Sequence, residues 1–342
     1  MRLPKRHYLT FFCLLFIAHL SFPADSTAFK SPYVEGTIRA KYEYFTEIDE
    51  HRFQIRNARI AFKGNLGKIT SYKAEIDLSD EGKTKMLDAY IRLHPVRNFE
   101  FTIGQQKVPF STDNLRSPYE LYFANRSFIG KQLTNLRDVG LSVTLTNNKL
   151  LPLDFIAGIY NGMGLYTQDK TLSLNELSYA GRLVLFPKNA FRISLNANTI
   201  CPESIRMTYY NAGLWYETGN LHLETEYLYK TYSSNSVFDK SETTGFFIFG
   251  AYNIATPALK YVKKITPVLR FDKMTKNLRY DVQTSANIVT KTDEARHRIT
   301  GGLNISLAQP FQNDIRLNYE RYFWEDGSFT DSKIVAEFVV HF

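Results

Sequence analysis

The chain has 342 residues, 15% of them aromatic (26 Phe and 22 Tyr against 2 Trp), and a formal net charge of +8. Its basic residues are dispersed, with no run of the kind that makes a nucleic-acid-binding tail. Past residue 28 no apolar stretch approaches the roughly 20 residues of a membrane-crossing helix.

Taken from the start, Arg2, Lys5 and Arg6 precede an apolar run over residues 8–22, interrupted by His19. Ser26-Thr27-Ala28 then offers small residues at the positions a signal peptidase reads, so residues 1–28 are predicted to be a secretory signal. Cleavage after Ala24 fits less well, because Phe22 would take a small-residue position. Cys13 lies inside this segment without a preceding Gly or Ala, which argues against a lipoprotein site. Cys201 alone remains beyond it, so the mature chain can form no internal disulfide. Residues 29–342 are expected to form one domain.

From residue 34 onward, segments of about ten residues alternate apolar and polar. Over 34–44, Ile38, Ala40, Tyr42 and Tyr44 oppose Glu35, Thr37, Arg39, Lys41 and Glu43. Residues 53–65 do not keep one phase: either a bulge near 56–58 turns Arg56 and Arg59 inward, or the phase is misread. Over 72–78 the apolar set faces Lys73, Glu75 and Asp77; over 87–94, Leu87, Ala89, Ile91 and Leu93 oppose Asp88, Tyr90, Arg92 and His94. The pattern returns at 191–198, at 221–230 and at 315–323, where Arg316, Asn318, Glu320 and Tyr322 point inward and Arg321 falls on the apolar face. An arginine there requires a position near a membrane interface, or the strand is misread. Asn161-Gly162, residues 187–189 and residues 218–220 read as tight turns. The chain ends on Phe342, with Val340, Phe338, Ala336 and Ile334 sharing its face and His341, Glu337 and Lys333 on the other.

About sixteen such segments, give or take two, predict an all-β transmembrane antiparallel barrel with lipid outside and water inside. A soluble sheet also alternates, but it does not repeat segments of near-constant length to a terminal Phe. One connection breaks the rule of short turns. Residues 108–136 carry Pro109, Asn114, Pro118, Asn125 and Gly130, and Arg116, Arg126 and Lys131, with Arg137 just beyond, cluster against Asp113, Glu120 and neighbouring Asp138. Following the fifth strand, it is read either as a loop folded into the lumen or as an extracellular loop.

Several motifs resemble a known family. Phe101-Thr-Ile-Gly-Gln-Gln-Lys-Val-Pro-Phe-Ser111, Ala124-Asn-Arg-Ser127 and Arg137-Asp-Val-Gly140 are similar to stretches of the phosphate-selective porin O and P family. Gly36-Thr-Ile-Arg-Ala-Lys-Tyr42, Phe53-Gln-Ile-Arg-Asn-Ala-Arg59, Tyr72-Lys-Ala-Glu-Ile-Asp77 and Leu87-Asp-Ala-Tyr90 fit its early strands. Leu269-Arg-Phe-Asp272 and Gly302-Leu-Asn304 fit late ones. The resemblance implies a sixteen-stranded, trimeric porin of the bacterial outer membrane, with a ladder of basic side chains guiding phosphate. Arg56 matches the first of the family's paired arginines, and Asn57 replaces the second. Thr37 stands at a position often basic, with Arg39 two residues on. Lys73, Asp88, Arg126 and Arg137 match the remaining positions. With Arg59 and Arg92 from the strand pattern, these form the expected pore-lining, anion-binding set.

Carboxylates share that inner face, among them Glu35, Glu43, Glu75, Asp77, Glu224, Glu226 and Glu337. The interior is therefore either an anion-favouring ladder or a set of locally cancelling pairs. The expected partners are outer-membrane lipid, small anionic solutes such as phosphate, and two further copies of the chain in a homotrimer. No cofactor, metal site, nucleic acid or enzyme activity is expected: His51, His94, His222, His297 and His341 are scattered, and no ligand spacing or nucleophile motif accompanies them. The alternatives are an adhesin-like or binding barrel displaying loops 165–178, 231–243 and 274–296, and an outer-membrane hydrolase.

Overall fold

A computed structural model describes residues 29–134, 137–149, 151–162, 164–165, 168, 171–201, 206–232, 241–283, 287–308, 312–325, 327 and 331–342. The expected signal segment 1–28 lies outside them.

The strands run β1 (Phe29–Phe45), β2 (Glu50–Leu66), β3 (Thr70–Asp80), β4 (Lys83–Val96), β5 (Phe99–Lys107), β6 (Arg137–Asn147), β7 (Leu153–Tyr160), β8 (Ser178–Leu185), β9 (Phe191–Ile200) and β10 (Met207–Thr218). They continue with β11 (Leu221–Tyr232), β12 (Ser241–Tyr252), β13 (Ile254–Ala255), β14 (Val262–Met274), β15 (Asn277–Gln283), β16 (Asn287–Asp293), β17 (Arg296–Leu307), β18 (Gln312–Trp324) and β19 (Ser332–His341). Short β13 continues β12 along the edge of β14, and β15–β16 is a separate hairpin. Sixteen staves thus form one antiparallel cylinder, closed by β1 on β19 from Thr37↔His341 to Phe45↔Lys333.

The terminal Phe342 completes that seam. Its N–H donates to Gly36 O at 3.0 Å and its carbonyl accepts from Gly36 N at 2.7 Å. Its ring covers Gly36 so closely that a Cβ there would stand 2.2 Å from the ring. Turns at this end are short, as after β2, β4 and β10, where Gly219 supplies a positive φ. The opposite end bears the longer connections. Short turns mark the periplasmic end of such barrels.

Alternation follows the pleat. Ile334, Phe338 and Phe342 are exposed outward, while Val335, Glu337 and Val339 are fully buried inward. In β2 the register against β1 slips at Arg56, a bulge that leaves Phe53, Ile55 and Phe62 outward and Asn57 buried within. A second bulge, in β4 opposite Glu75, corrects the sequence reading: Leu87 is turned inward and buried with Asp88, while Met86 takes the outward place. Arg321 is exposed at the extracellular end of β18, where an interface demands it. Two further readings change. Asn161-Gly162 opens a long connection to β8 instead of a tight turn, and the 274–296 loop contains the β15–β16 hairpin.

The connection from β5 to β6 enters the lumen. It holds one helical turn (Thr112–Leu115), a 3-10 turn (Pro118–Glu120) and a π turn (Ile129–Leu133). Val108, Phe110, Phe123, Phe128, Ile129 and Leu133 pack on inward residues of β7, β8, β10, β11, β12 and β14, including Met207, Leu228, Phe247 and Phe249. One side of the cylinder is therefore solid, and the polar space lies toward β1–β6.

Candidate functional site

Irregular backbone inside a barrel has no ladder to satisfy its polar groups, so the wall must do it. It does so mainly with arginine. Arg39 Nη2 donates to Ala124 O at 2.8 Å, Arg270 Nη1 to Asn125 O at 3.0 Å, and Arg298 Nη2 to Arg126 O at 2.9 Å. Arg316 reaches Pro118 O and Tyr119 O at 3.1 and 2.8 Å. Carboxylates hold the N–H groups: Glu226 those of Thr112 and Asp113, and Asp272 that of Phe128. Arg116 reaches from the loop to Glu224 at 2.5 Å. A guanidinium has five donors, so one such residue can pair a carboxylate and still serve a carbonyl.

The expected pore residues fall into three groups. Arg59, Lys73 and Arg137, on β2, β3 and β6, interlock with Glu75, Asp77 and Asp88. Arg59 Nε lies 2.9 Å from Asp77, and Asp88 accepts from Lys73 and Arg137 at 2.6 Å each. Three cations meet three carboxylates, so this wall is nearly neutral. Arg39 is bound to Glu337 at 2.6 Å and to the loop, which makes it a strut. Arg92 lies apart in the periplasmic half, on Thr102 at 3.0 Å and over the Tyr90 ring.

Arg56 and Arg126 belong to the third group, which borders open space. Above the loop, toward the extracellular end, lies a cavity of about 220 Å³. Its lining includes Arg39, Lys41, Arg52, Arg56, Arg126, Lys131, Arg298 and Lys333, against the carboxylates of only Glu43 and Glu81. Glu43 is shared among Lys41, Lys333 and Arg52. Arg56 pairs with Asp80 and, at 3.4 Å, with Glu81. Lys131 is exposed and has no ion-pair partner among the described residues. Deeper, Arg126 donates to Asp113 O and Arg116 O. Burial pushes its guanidinium below the usual arginine value; Asp113 opposes this, and the like charges of Arg39, Arg116 and Arg59 add to it. Lys107, at the end of β5, sends its ammonium to Leu115 O at 2.6 Å and has no ion-pair partner among the described residues.

Lys41, Lys107, Arg298 and Lys333 are absent from the expected set. Lys41 and Lys333 were marked as inward by their alternation in β1 and β19; Lys107 sits inside the Gly-Gln-Gln-Lys motif. Nothing local distinguishes Arg298. Among the described residues no group of three or more His, Cys, Asp or Glu is placed to hold a metal ion.

Known proteins bear on this arrangement. Residues 36–184 match the family model described as phosphate-selective porin O and P. No curated protein sequence matches the chain. Among solved structures, an anion-selective porin from Comamonas acidovorans aligns with a TM-score of 0.64 at 11% identity, covering 91% of this chain and 99% of its own. A loop L8 deletion mutant of OmpT from Vibrio cholerae gives 0.61 at 12%, covering 91% and 99%. Salmonella typhi OmpF in complex with daunomycin gives 0.56 at 12%, covering 91% and 97%. At such identities these structures speak for the fold, and the family match over residues 36–184 adds the rest: the chain is an outer-membrane β-barrel porin, similar in its first half to the phosphate-selective porin O and P family.

Proposed function

We propose that this porin passes small hydrophilic solutes passively and prefers anions, phosphate among them. The observation that carries the reading is the basic excess of the extracellular vestibule: eight basic side chains line the cavity against Glu43 and Glu81. Glu337, Asp80, Asp272 and Glu320 pair Arg39, Arg56 and Arg298 from behind the lining, but Lys131 has no ion-pair partner among the described residues and Arg126 has only Asp113, at 3.9 Å. Rings of positive side chains favour anions, provided each holds them weakly enough to let go. At an effective dielectric near 20, a unit charge about 7 Å away contributes roughly 2 kcal/mol, so several such charges concentrate anions strongly.

An anion entering from outside meets Lys131, Arg52 and Arg56 first, then Arg126 beside the loop. Further in, Arg59, Lys73 and Arg137 are already bound to carboxylates. A solute there exchanges partners with Asp88 or Glu75 and does not meet a bare cation, which keeps residence short. Of the expected site residues, Arg56 and Arg126 act as capture groups, Arg59, Lys73, Asp88 and Arg137 as the balanced passage, Arg39 as a strut, and Arg92 as an exit group. A homotrimer embedded in lipid is the assembly we expect, in line with the trimer form of OmpT from Vibrio cholerae that shares this fold at 11% identity.

Reversal potential in a salt gradient across a planar bilayer is the test. Anion permeability should exceed that of cations, and stepwise phosphate should reduce chloride current. A reversal potential of the opposite sign would overturn the anion preference while leaving the pore standing.

A further inference from the structure

The lipid-facing surface carries a feature the channel does not need. Three neighbouring strands are apolar outward and then turn basic or imidazole at the same end. In β14 the outward series is Leu269, Phe271, Lys273; in β17 it is Leu303, Gly301, Ile299, His297; in β18 it is Leu317, Tyr319, Arg321. Register sets them side by side: Lys273 pairs with His297, His297 with Phe323, and Ile299 with Arg321. The group sits at the extracellular end, where these strands enter and leave their loops.

Its side chains form one surface. His297 stacks on Phe323 with ring centroids 4.7 Å apart, and Arg321 Cζ lies 5.3 Å from the centroid of the same ring. Among the described residues, Lys273 forms an ion pair with exposed Glu325 alone, at 2.7 Å. Arg321 is exposed and has no ion-pair partner among the described residues. The nearest inner carboxylates, Asp272 and Glu320, point into the lumen and are taken by Arg298. A cation on a lipid-facing wall is expensive unless a headgroup anion meets it.

We propose that Lys273 and Arg321, with the Phe323–His297 platform between them, form a docking site for a phosphorylated glycolipid of the outer leaflet. The extracellular position selects the outer leaflet. The two cations stand two strands and two residues apart, about 12 Å between backbones, which suits a headgroup bearing more than one phosphate. The aromatic rings accept the sugar and the start of the acyl chains.

Binding of diphosphorylated lipid A to the intact detergent-solubilised porin, measured by native mass spectrometry, tests this. The double variant Arg321→Gln with Lys273→Gln should bind about twenty-five-fold more weakly, a factor of about five for each charge. Arg321→Lys should retain most of the binding. Dephosphorylated lipid A should bind the unaltered protein as weakly as the intact lipid binds the variant, a readout that stands even if the variant assembles poorly. Equal binding of phosphorylated and dephosphorylated lipid, or of phosphatidylglycerol and lipid A, overturns the proposal.

Discussion

Glu226 holds the start of the inward loop by its backbone: one carboxylate oxygen accepts the N–H of Thr112 at 2.5 Å and that of Asp113 at 3.1 Å. The other oxygen takes the Ser111 hydroxyl at 2.7 Å. These are orphan donors of a helical turn too short to have any other use for them. The start of the loop, and with it part of the channel width, therefore depends on this wall side chain, while arginines hold the rest of the loop. Glu226→Ala should strand three donors, each worth about 1–3 kcal/mol when left unmet. The expected result is a detached loop, with larger and noisier single-channel conductance in a barrel that still shows heat-shifted gel mobility. Unchanged conductance would mean that the apolar contacts alone fix the loop.

Those contacts admit their own test at Gly245. A Cβ there would lie 2.4 Å from Leu133 Cδ1 and 3.1 Å from Ile129 Cγ1, both in the π turn. Gly245→Val should push that turn off the wall and lower the thermal midpoint, since overpacking costs about 1–3 kcal/mol. The companion Leu133→Ala should restore part of the loss. Failure of that rescue would place the strain elsewhere.

How much of this was legible beforehand follows from the range of each interaction. The sixteen staves, the closing Phe342 and the bulge in β2 are written in a local period of two. Leu87 was not: a bulge moves a residue to the other face at little local cost, and no turn residue marks it. The inward loop showed its prolines and charges, but its direction depended on partners far along the chain, such as Arg316 with Pro118 and Glu226 with Thr112. One signal was available. β12 is apolar on both faces, with Phe247 and Phe249 buried inward between outward Phe246 and Ile248. In a water-filled barrel such an inner face requires something to cover it. The expected ladder met a related limit: alternation tells which basic residues point inward, but not which of them meet a carboxylate there.

Charge in the open part of the channel can be separated from charge in the paired wall. Lys131→Gln and Arg126→Gln each remove an uncompensated or weakly paired cation, and both should shift the reversal potential toward cations. Lys73→Gln removes one member of a closed network and leaves Asp88 held by Arg137 alone. It should affect stability and current noise more than selectivity. The same shift from all three would show that the wall pairs open during conduction.

The seam provides the last prediction. Gly36 and Phe342 exchange both backbone hydrogen bonds, and the ring lies where a Gly36 side chain would grow. Deleting Phe342 removes one rung, its ring and the aromatic end of the lipid-facing stripe, while leaving the pairs from Thr37↔His341 onward intact. Gly36→Val keeps every rung but must displace the ring. If closure depends on the hydrogen bonds, the deletion should assemble more slowly into liposomes than Gly36→Val. If it depends on seating the ring, the two should be slowed alike, because both leave the seam uncovered toward lipid. The second outcome is expected, since the ring fills the space over Gly36 and closes the seam toward lipid, and folding followed by the heat-shifted band on gels discriminates between them.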